Sequence, residues 1–303
     1  MFTTVAMPQC RKTVTGTLFI VATPIGNLED ITQRALRILR EVDIVACEDT
    51  RRTQGLLNHF GIKTKRISYH EHNERERAEQ LCKTLETGKN VAVVSDAGTP
   101  LISDPGFRIV NEAILRSIPV VSIPGSTAFV TALAASGLPS DEFFFAGFFP
   151  ARANARRAKL ERLREIPATL IFYEAPHRIA KTLQDALDIL GDRQAVVARE
   201  LTKMHEEIAR GSLDELRQRF SQAAMARGEM VLLITGFSES ESGAIRSANE
   251  PERSPERLVA RVRELEGKGF DSKSALKKAA RELGLKRAEA YRLMVAQKKR
   301  LSK

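Results

Sequence analysis

The sequence predicts two α/β domains in tandem followed by a basic helical tail. Three observations carry this. Short apolar runs alternate with amphipathic segments from Thr17 to Thr235, a Ser-, Glu- and Pro-rich stretch then breaks the pattern, and the residues beyond it hold most of the net charge. With 303 residues, 43% of them hydrophobic, the chain can bury a core in each domain.

The first domain is expected over residues 16–138, after a flexible N-terminus at 1–15. It opens with a β-branched run, TLFIVAT (17–23), and an amphipathic helix carrying Ile31, Ala35, Ile38 and Leu39. IVAC (44–47), a helix near Glu74–Glu86, VAVVS (91–95), a helix near Phe107–Arg116, VVSI (120–123) and a helix over Ser126–Ala135 follow. Continuously apolar strands separated by helices indicate a mostly parallel sheet covered on both faces. Gly137 and Pro139 end the last helix.

The second domain is expected over 139–237: FFFAGF (143–148), a polar helix through Arg156 and Leu163, TLIFY (169–173), a helix over Arg178–Leu190, AVVA (195–198), a helix over Leu213–Phe220 and MVLLIT (230–235). Residues 238–254 read as a linker, because they are rich in Ser, Glu and Pro and poor in bulky apolar residues. In the tail (255–303), Leu258, Val262 and Leu265 form a helical stripe, and Ala275–Leu283 and Ala288–Val295 read as two helices around Gly284.

Charge placement narrows the partner. From Pro251 onward there are 16 Lys and Arg against 7 Asp and Glu, so this segment holds nine of the ten net positive charges. A block of this kind suits a polyanion such as nucleic acid, and Lys286, Arg287, Arg292 and Lys298 are the expected contacts; a solvated helical surface is the alternative. Cys10, Cys47 and Cys82 are scattered, which fits a reducing cytoplasm and neither a disulfide framework nor a zinc site. The apolar run Phe143–Phe149 is far short of the roughly 20 residues that span a bilayer, so no membrane association is expected.

Five expected strand ends carry polar, glycine- or proline-containing loops: ATPIGN (22–27), CEDTR (47–51), SDAGTP (95–100), PGSTA (124–128) and YEAPHR (173–178). In open parallel sheets ligands bind where such loops converge beyond the strands' carboxyl ends. Neither a G-x-x-x-x-G-K-[ST] loop nor a G-x-G-x-x-G after the first strand is present, which disfavours ATP and NAD. Short glycine loops with Asp96 nearby suit a ligand bearing amine or hydroxyl groups.

Those loops, together with GTLFIVATPIGNLEDIT, HEHNERER, VVSDAGTPLISDPG, SIPGSTA, SGLP, FFFAGFFP, TLIFYEAPHR and ARELTKMHEEIARGSL, resemble the ribosomal RNA small-subunit methyltransferase I family, a branch of the tetrapyrrole methylase superfamily. The resemblance runs from about Gly16 to Gly236. It implies a two-domain tetrapyrrole-methylase-like fold, S-adenosylmethionine bound between the domains, a homodimer, and 2′-O-methylation of a cytidine in the decoding region of 16S rRNA in the small ribosomal subunit. The last helices resemble the helix-turn-helix segment that this family appends. For the cofactor, the resemblance implies that Asp96, Ala97, Gly98 and Ile102 line the cleft, that Thr127 and Ala128 lie under it, and that Tyr173 and Gly211 close it from the second domain.

Methyl transfer to a hydroxyl depends on in-line positioning, and a base or cation beside the oxygen assists it. Lys203, Glu48 and Glu200 are the leading catalytic candidates, with Glu174 and His177 also near the loops. Lys203 would act as a desolvated base or as a cation facing the developing alkoxide, and an ion pair or phosphate contact is its alternative role. His70 and His72 lack a third ligand in view, so no metal is expected. A tetrapyrrole methyltransferase and a non-enzymatic RNA- or ribosome-binding protein are the competing readings.

Overall fold

The computed structural model describes residues 15–221, 228–238 and 255–282, together with Ala290 and Met294. Residues 1–14, the expected linker positions 239–254, Gly284, and Lys286, Arg287, Arg292 and Lys298 lie outside the described residues. The chain divides into two compact units, one up to Gly236 and one from Phe237 on.

The first unit contains two five-stranded sheets. β1 (Leu18–Val21), β2 (Ile44–Cys47), β3 (Lys65–Ser68), β4 (Val91–Val94) and β5 (Val120–Ile123) pair in the order β3-β2-β4-β1-β5, and every pairing is parallel. α1 (Gln33–Glu41) and α2 (Thr50–His59) pack on one face with Val21, Val45 and Val94, whereas α3 (Glu74–Glu86) and α4 (Phe107–Leu115) cover Leu18, Ile20 and Val93 on the other. Burial on both faces explains why β4 is wholly apolar, VAVV.

The second sheet is mixed. β6 (Phe143–Phe148), β7 (Thr169–Glu174), β8 (Gln194–Arg199), β9 (Glu207–Ser212) and β10 (Met230–Ile234) pair in the order β6-β7-β10-β8-β9. β6 runs parallel to β7, and the other pairings are antiparallel. α6 (Ala153–Leu163), α7 (Ile179–Leu190) and α8 (Leu213–Phe220) pack on one face around Phe172, Leu232 and Val197. The opposite face receives α5 (Ala128–Ser136) from the first half: Ala132 and Leu133 pack with Ile171, Val196, Val231 and Leu233. This apolar contact fixes one sheet against the other.

β3, β9 and α2 are not apparent in the sequence pattern. β3 (KRIS) and β9 (EIARGS) are edge strands with few fully buried positions, so their sequences lack a sustained apolar run. α2 buries only Thr53 and Leu57 and is started by the Asp49 carboxylate, which accepts from the Arg51 N–H at 2.8 Å.

In the second unit, α9 (Pro255–Gly267) and α10 (Ser272–Glu282) join through a turn containing Gly269 (φ 93°). Leu258, Val262 and Leu265 pack on Ala275, Ala279 and Ala280, with Ala290 in the same cluster. Small alanines let the two helices approach closely. Among the described residues no helix is long and apolar enough to cross a membrane.

Candidate active site

β1 and β4 are neighbours, so their carboxyl-terminal loops emerge side by side. They are stitched together: Thr23 N–H donates to Gly98 O at 2.8 Å and Gly98 N–H returns to Thr23 O at 3.0 Å. The Thr23 hydroxyl also donates to Ser95 O at 3.2 Å. Gly98 has φ 83°, a left-handed conformation that glycine adopts without strain. On the next loop, the Thr99 and Thr127 hydroxyls hydrogen-bond at 2.7 Å, so Thr127 does not cap α5 with its side chain. The first turn of α5 keeps N–H groups for another acceptor.

These loops form one wall of a cavity of about 550 Å³. Ile25, Asp96–Thr99, Ile102–Asp104, Thr127 and Ala128 come from the first half, and Phe148, Tyr173–Pro176, Glu200, Leu201, Lys203 and Gly228–Val231 from the second. The two halves meet closely at Gly26, where a Cβ would stand 2.8 Å from Leu201 O and 2.7 Å from Lys203 Cγ.

Ten of the residues singled out from sequence line this one cavity: Asp96, Ala97, Gly98, Ile102, Thr127, Ala128, Tyr173, Glu174, Glu200 and Lys203. Gly211, Glu48 and His177 do not. Gly211 lies within β9 opposite Ala195, and the space a side chain would fill there holds the Glu215 carboxylate, 2.6 Å from a built Cβ. That carboxylate accepts from the Ser212 N–H at 2.9 Å in the capping box of α8, so Gly211 serves the helix start. Glu48 is exposed after β2 and is not part of the cavity lining. Partial desolvation of its carboxyl, and then the nearby Asp96, hold it above the ordinary range.

Lys203 and Glu200 act as a pair, with Nζ to Oε1 at 2.9 Å. Their loop is strained, with Glu200 at φ 51° and Thr202 at φ 65°. Gly228 makes room for it: a Cβ there would lie 1.9 Å from Glu200 Oε1. An ion-paired lysine suits a cationic role better than that of a neutral base. Asp96 accepts the Asp49 N–H at 3.0 Å and faces Arg52 at 3.4 Å. Glu174 is buried and held by Arg178 at 2.6 Å and by the Thr182 hydroxyl at 2.6 Å, so it supports the loop after β7. His177 is in the short 3-10 turn after β7 and does not line the cavity.

Chemically the cavity offers apolar surface from Ile25, Ile102, Leu201, Val231 and Tyr173, the start of α5 at Thr127 and Ala128, and several carboxylates. Burial lifts the Tyr173 hydroxyl to about 12, so it stays protonated and can donate.

Residues 17–217 match the family model described as Tetrapyrrole (Corrin/Porphyrin) Methylases. The chain is 47% identical over 281 residues to the ribosomal RNA small subunit methyltransferase I of Halalkalibacterium halodurans, covering 92% of this chain and 94% of that one. The chain belongs to the ribosomal RNA small subunit methyltransferase I family. The enzyme of the same name from Pseudomonas aeruginosa is 54% identical over 228 residues, covering 75% of this chain and 81% of that one. In three dimensions, the uroporphyrin-III C-methyltransferase of Thermus thermophilus solved with S-adenyl homocysteine matches with a TM-score of 0.52 at 18% identity, over 72% of this chain and 97% of that one. The fold is therefore that of the tetrapyrrole methylases.

Within this methyltransferase family fold, the cavity has lining residues that sequence reasoning passed over: Arg52, Ser103, Asp104, Phe148 and Glu229. Ser103 and Asp104 belong to the quoted run VVSDAGTPLISDPG, whose length already showed that the loop continues beyond Ile102. Glu229 carries no comparable signal, because it precedes an ordinary apolar strand. Among the described residues no group of three or more His, Cys, Asp and Glu is arranged to hold a metal ion.

Proposed function

We propose that this protein transfers a methyl group from S-adenosylmethionine to the ribose 2′-hydroxyl of a cytidine in the decoding region of 16S rRNA. The observation that carries the reading is the cavity lined from both sheets by the loops that resemble this methyltransferase family. S-adenosylmethionine supplies an electrophilic methyl group on a positively charged sulfur. The lining fits such a molecule: Ile25, Ile102 and Leu201 offer apolar surface for a flat ring, the first turn of α5 suits a carboxylate, and Asp96 suits an amine or ribose hydroxyls. Gly98 lets backbone approach the ligand.

This chain's residues then orient the acceptor. Lys203, fixed by Glu200, presents positive charge at the cavity, where it favours a developing alkoxide or holds the adjoining phosphate. Ile102, Phe148 and Tyr173 limit water around the reacting oxygen. The basic segment from Pro251 supplies phosphate affinity for the ribosomal RNA. β6 is an edge strand on which Phe143 and Phe144 are 46% and 43% exposed, an edge suited to a second copy of the chain in a homodimer.

Incubation with donor labelled on the methyl group tests the reading. Label is expected in stripped small subunits and not in a porphyrin precursor. Label in the precursor would transfer the reading to the tetrapyrrole class, and absence of donor binding would leave a non-catalytic RNA-binding protein.

A further inference from the structure

Five carboxylates line the cavity, and four have other commitments or are open to water. Asp96 faces Arg52, Glu174 is bound by Arg178 and Thr182, and Glu200 is paired with Lys203. Glu229 is exposed. The fifth is Asp104, on the loop between β4 and α4. It is half-buried and forms no ion pair with the described lysines and arginines, and the nearby Ser95 hydroxyl donates to Gly98 O at 3.2 Å.

The scaffold holds this carboxylate firmly. Leu101 and Ser103 lie at φ 73° and 67°, conformations that L-residues rarely adopt. Gly106 closes the loop against Leu101, since a Cβ there would meet the Leu101 side chain at 2.7 Å. Beyond it, Gly106 N–H and Arg108 N–H donate to the Glu74 carboxylate at 3.0 and 3.3 Å, and the Tyr69 hydroxyl donates to the same oxygen at 3.0 Å. Strain maintained by surrounding structure at a cavity wall is characteristic of functional positions.

We infer that Asp104 is the catalytic base that takes the proton from the acceptor hydroxyl, an inference that rests on the reading of the reaction as 2′-O-methylation. As the ribose oxygen forms its bond to the methyl carbon, its O–H bond breaks and the proton passes to the Asp104 carboxylate. The electron pair of the breaking carbon–sulfur bond leaves with sulfur, so one negative and one positive charge disappear together and no other reactant is needed.

The surrounding charges suit this task. Glu48 after β2, Asp96 after β4 and Glu229 before β10 face Asp104, and the Tyr173 hydroxyl at the end of β7 is close. Arg52 of α2 and Lys203 after β8 are the positive groups of the lining, each already engaged by another carboxylate. Burial first, and then Glu48, lift the Asp104 carboxyl to about 6. It is therefore ionised at neutral pH yet more basic than an ordinary aspartate, as a general base should be.

Asp104→Asn in the full chain, assayed on small subunits, is expected to lower kcat at least a hundredfold. KM for the subunit and calorimetric donor affinity should stay within about twofold. The parent's kcat should rise with pH to a plateau above about 6, and the variant should lose that limb. In donor-free protein labelled with ¹³C at aspartate carboxyls, one resonance should titrate near 6, vanish in Asp104→Asn and move lower in Glu48→Gln. Parental kcat in Asp104→Asn, persistence of the acidic limb, or no aspartate titrating near 6 would overturn the assignment. Mapping the parent's product separates the two failures. A methyl on a base removes the 2′-O reading and this inference with it, whereas a ribose methyl with an unimpaired variant removes the inference alone.

Discussion

Replacing Gly98 by alanine tests the cavity wall with the smallest possible change. Gly98 sits at φ 83°, where an L-residue costs roughly 1–2 kcal/mol, and alanine recovers about 0.4–1 kcal/mol by stiffening the unfolded chain. The new methyl would stand 3.4 Å from Ile25 Cγ2 and 3.7 Å from Ser126 O, ordinary van der Waals contacts, so packing adds little to the cost. The net loss is about 1 kcal/mol, equivalent to a Tm lower by about 2–4 °C for a unit of this size. Donor affinity should suffer more, because the methyl occupies a wall where backbone meets the ligand: calorimetry should show at least tenfold weaker binding, about 1.4 kcal/mol. A folded Gly98→Ala protein with parental donor affinity would refute the placement of the donor beside this loop.

Four further outcomes follow from the structure. Lys203→Ala should reduce turnover at saturating donor by about 10²-fold while changing calorimetric donor affinity little; equal turnover would exclude it from the reaction, and a loss confined to RNA affinity would make it a phosphate contact. Asp104→Asn should also be stabilising at neutral pH. Because the folded carboxyl titrates near 6 instead of 3.8, its favourable contribution is complete below about 3.8 and lost as pH rises through 6, leaving a penalty of up to about 3 kcal/mol that solvent access reduces to about 1–2 kcal/mol; Tm of the variant should exceed the parent's at pH 8 and match it near pH 3.5. Asp185→Ala leaves Arg156 buried without its 2.6 Å partner, and denaturant unfolding should show a loss of roughly 3–5 kcal/mol. Truncation after Gly236 should leave donor affinity intact while flattening the salt dependence of RNA binding, since each lost phosphate contact lowers that slope by a little under one; an unchanged slope would end the role of the basic segment.

Legibility in the sequence followed burial. β1, β2, β4, β5, β7, β8 and β10 are apolar enough to be read directly, because most are covered on both faces, as β4 and β10 show in full. The edge strands β3 and β9 expose much of their surface and left no pattern, so the mixed pairing of the second sheet was hidden. At the site, the loops after β1, β4, β5 and β7 announced themselves through glycine, proline and threonine. Gly211 misled because a glycine beside a helix start and a glycine beside a ligand look alike in sequence, and only the Glu215 carboxylate in its side-chain space distinguishes them. The room for the Glu200 side chain and the lack of an ion pair at Asp104 are properties of three-dimensional neighbours, such as Gly228, which is distant along the chain from Glu200.

The most direct test of the central claim is alkaline hydrolysis of 16S rRNA methylated by this protein with labelled donor. A 2′-O-methyl group removes the nucleophile that cleaves the neighbouring phosphodiester, so the label should emerge in one alkali-resistant dinucleotide whose 5′ residue is cytidine from the decoding region. Label recovered in a mononucleotide would place the methyl on a base and contradict the account.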